Sequence, residues 1–271
     1  MSLAAQSREI WTLDEFLAEA SEGRIQNVAA LDIELAMAAV VFDLMQQIYT
    51  NTPLSDRTYS KVVGSLLAGM TRYYATSVDL CLRGHTAEAH AVLRSSVEHA
   101  AYLVRIVDTP TLAEAWVELA DLTKKQKHEL FGSEFELMHQ PIIKETAASL
   151  YNLLSIFGVH TRIAAIEQTI DFQHPFGWRI RSTDVGSPHV RLFLLGIVFS
   201  MRDLVLLGLV PKLLEAPLPK EIAVNEARFT ALHAKLNEQR QDFRTWLSNP
   251  ERPKAILRVA GVKTIVVDSR R

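Results

Sequence analysis

Ala87-Glu88-Ala89-His90-Ala91-Val92-Leu93-Arg94-Ser95-Ser96-Val97-Glu98-His99-Ala100-Ala101-Tyr102-Leu103-Val104-Arg105-Ile106-Val107 reads as one helix, and it carries charge where a core helix is apolar. At 3.6 residues per turn, Ala89, Val92, Leu93, Val97, Ala100, Ala101 and Val104 gather into an apolar surface. His90, Arg94, Glu98 and Tyr102 follow one another at i+4, each displaced only about 40° around the axis, and form a polar ridge on which Arg94 and Glu98 can pair. That ridge is the first candidate for a site. His99 lies five residues after Arg94, about 140° away, so it reaches the same pocket only with help from a neighbouring helix or a second subunit.

The flanking sequence is punctuated as further helices. On the N-terminal side, a helix beginning near Ser55, with the serine as cap, ends before Gly84, and Thr86 is expected to cap the ridge helix. This preceding helix has its own polar series, Arg72, Thr76, Asp79 and Arg83, and antiparallel packing would set the two ridges against each other as a charge network. Earlier still, Thr12-Leu13-Asp14-Glu15 forms a capping box for a short helix expected to stop at Gly23, with a longer one from Asn27 to Tyr49. On the C-terminal side, Thr109-Pro110 closes the ridge helix and opens the next. The pattern stays helical to Phe157, broken near Gly132 and bent at Pro141. A short helix from His160 to Ile170 precedes an irregular, aromatic-bearing segment, Asp171 to Pro188, of a length that is usually functional.

Beyond it the chain is apolar from Val190 to Leu214, interrupted by Arg202 and Asp203, each of which would cost roughly 2.5 to 3.5 kcal/mol at a bilayer centre. A buried bundle helix is therefore expected and no membrane span. Pro211, Pro217 and Pro219 mark a linker, Glu221 to Leu247 is an amphipathic helix, and Ile256 to Val267 has the Ile and Val content of a small β-hairpin around Gly261. The expected fold is an all-α antiparallel bundle over 1–211, with an appendage of helix and hairpin over 212–271.

Composition bounds the chemistry. With 29 Lys and Arg against 31 Asp and Glu, the net charge of -2 provides no global attraction to nucleic acid, so RNA binding would need a local basic groove, for which Arg72, Arg83, Arg94 and Arg162 are the candidates. The lone Cys81 excludes an intrachain disulfide and suits a reducing compartment, the cytoplasm. Met1 to Trp11 has no apolar run of the length a secretory signal needs. Glu136-x-x-His139 is half of a di-iron signature without its second half, His-Glu-x-x-His is absent, and so are a phosphate-cradling glycine loop and a dinucleotide fingerprint; no metal and no cofactor are implied.

Two stretches carry a resemblance. Gly84 to Glu98, with its glycine turn and Arg94-x-x-x-Glu98 pair, and Tyr151 to His160, with its Ser155-x-x-x-x-His160 pattern, resemble a bacterial all-helical family of unknown function placed near the HEPN superfamily. The resemblance spans roughly Ser55 to His160. It implies a HEPN-like bundle, a homodimer, and a part in stress response or phage defence. HEPN domains that cleave RNA do so without metal through Arg-x(4–6)-His, a spacing that Arg94 and His99 satisfy, with polar Ser95 after the arginine. Arg94 would then hold the phosphate and His99 or His160 would move the proton, with His90, Glu98, Tyr102, Ser155, Arg72 and Arg162 around them. Glu98 departs from that pattern, because a carboxylate beside the arginine offsets the charge that holds a phosphate. Two functions therefore stand open: a metal-independent ribonuclease or nucleotide-binding protein, and a non-catalytic module binding a partner protein or small ligand. For a homodimer the apolar faces at Ala29 to Val41 and Leu192 to Val210 are candidate contacts, although such faces are more often simply core.

Overall fold

The computed structural model describes residues 12–52, 57–133, 136, 138, 140, 143–154, 170–171, 179–180, 188–214 and 220–239. The fold is all-α. Its helices are α1 (Leu13–Ala30), α2 (Asp32–Asn51), α3 (Thr58–Leu82), α4 (Thr86–Asp108), α5 (Leu112–Val117), α6 (Lys124–Phe131), α7 (Lys144–Leu154), α8 (Pro188–Asp203), α9 (Val210–Leu213) and α10 (Lys220–Gln239), with a π-helical turn, Leu204–Leu209, between α8 and α9.

The ridge helix, α4, is the axis around which the rest is built, touching α3, α5, α7, α8, α9 and the π turn. The expected apolar face is buried there except for Val92, which is only half-buried. The turn into α4 is set by Gly84, whose φ of 82° lets His85 donate to the Leu80 carbonyl and Gly84 to that of Cys81, so the end of α3 is satisfied in a Schellman arrangement. His85 then already accepts the first helical bond from Ala89, which makes Thr86 the first helical residue and not the cap. Across the hairpin, Ser77 Oγ donates to the Ala89 carbonyl and Ser96 Oγ to that of Met70, both at 2.8 Å. One residue number falls as its partner's rises, so α3 and α4 run antiparallel.

That close approach explains Gly69. A Cβ there would lie 2.6 Å from His99 Cδ2, and the imidazole is held by the Ser95 carbonyl and the edge of Tyr73. Gly69→Ala is therefore expected to lose about 1 kcal/mol net, overpacking outweighing the helix-propensity gain. Urea unfolding of Gly69→Ala beside Gly69→Ala/His99→Ala checks this, since removing the imidazole should restore the lost stability.

Several expected boundaries move. The Thr12–Glu15 capping box forms, but α1 runs through buried Gly23 because Arg24 bonds Asp79 and Asn27 Nδ2 donates to the Leu82 carbonyl, anchoring that turn on α3. The break falls instead at Leu31, whose side chain is fully buried. The cap position of α3 is Arg57, and Ser55 lies outside the described residues. Pro110 sits in the turn ahead of α5, while Pro211 is inside α9, so the boundary expected at 211/212 cuts a short helix. Ile170, expected to end a helix, pairs with Ile180, and Asp171 with Arg179, as a two-residue antiparallel ladder. The rest of 160–187 and the hairpin expected at 256–267 lie outside the described residues.

Phe193–Leu213 is the one described run long and apolar enough to cross a membrane, and 67% of its most apolar 18-residue window is buried. Its Arg202 pairs with Asp203 and with Glu226 of α10 and lies over the Phe229 ring. The faces expected to meet a second subunit are occupied within the chain: Ile33, Met37, Val40 and Val41 of α2, and Leu194, Ile197 and Val198 of α8, belong to the core. Cys81 is also in the core, its thiol directed to the Val190 carbonyl.

Candidate functional site

The four ridge residues have three different fates. His90 is 1% exposed, lies against Phe193 with ring centroids 3.6 Å apart, and its Nδ1 donates to the Thr86 carbonyl. Burial pushes its pKa down to about 3, against the opposing pull of the Thr86 carbonyl, so this imidazole is neutral. Arg94 bonds Glu98 through Nε at 3.0 Å, donates from its terminal nitrogen to the Tyr151 hydroxyl of α7, and lies 4.4 Å from that ring's centroid. The pair remains partly open to solvent, at 21% and 33% for the two side chains. Tyr102 packs its ring edge-on against Phe131 of α6.

His99 looks elsewhere. Its ring lies over Gly69 and against Tyr73, both on α3, whereas Arg94 is engaged by α7. The two groups of the Arg-x(4–6)-His spacing thus serve different neighbours, as the angle between them implies. The α3 ridge also turns away from α4. Asp79 takes bonds from Arg83 and from Arg24 of α1, and although partial burial acts to raise its pKa, these two guanidiniums outweigh it and hold the carboxyl below its ordinary value. The charge network expected between the two ridges is consequently an α1–α3 contact, with Arg83 committed to it. Arg72 is exposed on α3. Ser155, His160 and Arg162 lie outside the described residues, and with them the expected approach of His160 to Arg94.

Sequence reasoning missed two features. One is Tyr151, which carries the far side of the Arg94 cluster. The other is the continuation of the ridge to Arg105, three residues after Tyr102. There α4 opens on a cleft of about 480 Å³, lined by Arg105, His128, Glu129, Gly132, Glu136 and Gln140 together with the largely buried Phe131. Gln140 donates to the Ala101 carbonyl, which fixes that wall to α4. Glu136 takes the Ser133 amide at 2.6 Å while its own amide donates to Ser133 Oγ, a reciprocal cap that the Ser-x-x-Glu pattern encodes. Those Ser133 bonds, with smaller help from His128 and Arg105, hold its carboxyl below the ordinary range. Arg105 Nε is shielded from water and has no hydrogen-bond partner among the described residues, a deficit worth about 1–3 kcal/mol for a buried donor. Among the described residues no three His, Cys, Asp or Glu side chains converge as metal ligands.

Ridge and cleft on an all-α scaffold define a helical protein with one polar seam along its central helix. No family model, curated protein or solved structure matches the chain.

Proposed function

We propose that this protein is a non-catalytic helical module that binds a small ligand, with the Arg94–Glu98–Tyr151 cluster organising the bundle and the cleft at the ridge's end receiving the ligand. One observation carries this reading: the Arg94 guanidinium is spent on a carboxylate, a hydroxyl and an aromatic face, which leaves it poorly placed to take up a phosphate. A ribonuclease of the HEPN kind needs that cation free and an imidazole beside it, and His99 is turned to α3. The buried thiol of Cys81 is consistent with work in a reducing compartment such as the cytoplasm.

The test is incubation of the purified protein with total RNA and a chelator, beside Arg94→Ala. RNA is expected to survive both, while Arg94→Ala loses about 1–2 kcal/mol of stability by stranding the partly buried Glu98 and Tyr151 groups. Cleavage by the unaltered protein that vanishes in Arg94→Ala would reverse the proposal in favour of the enzyme.

A further inference from the structure

Resting on the ligand-binding reading, the geometry points to a class of ligand: we infer that the cleft takes a small molecule through an oxyanion, a carboxylate or a phosphate, gripped by the planar fork of Arg105. The charges around the cleft decide this. Of its two acids, Glu129 pairs with Lys125 of the same helix, and Glu136 is tied to the backbone and hydroxyl of Ser133. Gly132 reinforces that tie, since its φ of 81° and the 2.9 Å that would separate an added Cβ from Glu136 Oε2 lock the turn under the carboxylate. Glu136 is thus held in place at the rim and does not fold onto the arginine. The basic groups are less committed. Arg105 and His128 form no ion pair with a described carboxylate and act on Glu136 only through space, and Arg105 Nε has an unmet donor.

An oxyanion resolves that imbalance. When Arg105 turns its Nε edge toward the cleft, two parallel charge-assisted bonds replace one unmet donor, and His128 of α6 offers a ring N–H on the facing wall. The volume of about 480 Å³ matches a metabolite-sized molecule and is too small for a protein segment.

Titration of isotope-labelled protein with sodium acetate, inorganic phosphate and neutral acetamide, followed through the backbone amides of Gly132 and Gln140, tests the inference. Acetate or phosphate, or both, should shift these amides saturably, the stronger of the two identifying which oxyanion the site prefers; acetamide should not. Arg105→Gln should weaken the response at least tenfold, and Arg105→Lys, which keeps charge and loses the fork, should fall between. Equal shifts from acetamide, undiminished in Arg105→Gln, would overturn the oxyanion assignment and leave the binding module standing. Equal anion shifts around exposed Arg72 would also overturn it, as general attraction to surface charge. Silence of the cleft amides toward every probe would remove both the inference and the module.

Discussion

Replacing Arg191 with alanine is expected to destabilise the fold by about 3–5 kcal/mol, the penalty for leaving one member of a buried ion pair without its partner. Glu34 stands in the first turn of α2, with no exposed surface, and Arg191 Nε lies 2.8 Å from its carboxylate while a second nitrogen of the same guanidinium donates to the Ala30 carbonyl. Alanine takes the guanidinium away from a carboxylate that has no exposed surface, so keeping Glu34 ionised there becomes costlier. The paired replacement Glu34→Leu/Arg191→Met removes both charges at similar volume and should recover most of the loss, because the intact pair adds little beyond its own desolvation cost. Urea unfolding at pH 7 measures both variants, and an Arg191→Ala unfolding free energy within about 1 kcal/mol of the unaltered protein's would show that the pair does not hold α2 to α8.

Local chemistry was legible in the sequence, and contacts between distant segments were not. Thr12 and Glu15, Gly84, and the i+4 pair Arg94–Glu98 each act within one helical turn, so their spacing alone states what they do. Gly23 fails as a stop because Asp79 and Leu82, more than fifty positions away, hold the turns around it. Leu31 breaks a run that periodicity joins, because its side chain is fully enclosed in the core. The site divides the same way. The ridge is a spacing along one helix, and of its members the structure joins only Arg94 and Glu98 to each other, while His90 is buried against Phe193 and Tyr102 packs on Phe131. The cleft needs Arg105 from α4, His128 from α6 and Gln140 from the chain beyond Gly132, and no spacing rule brings those positions together. Tyr151 likewise acquires its role only when α7 packs across α4.

The second large effect depends on pH and follows from His90. Its folded-state pKa of about 3 lies below the ordinary 6.5, because burial against Phe193 opposes the imidazolium more strongly than the Thr86 carbonyl supports it. Between those two values the unfolded chain binds a proton that the native state refuses, so ν of the unfolded state exceeds that of the native state and stability rises with pH. The contribution is therefore complete above about pH 6.5 and is lost as pH falls toward 3, at a rate approaching 1.4 kcal/mol per unit. From pH 6 to pH 4 the unaltered protein is expected to lose about 2 kcal/mol more than His90→Gln, whose amide can still donate to the Thr86 carbonyl but does not titrate. Carboxylates that protonate over the same range do so in both proteins and drop out of the difference. Parallel stability profiles in urea at closely spaced pH values would mean that this ring meets water in the native state, and α8 would then not close over the ridge at its N-terminal end.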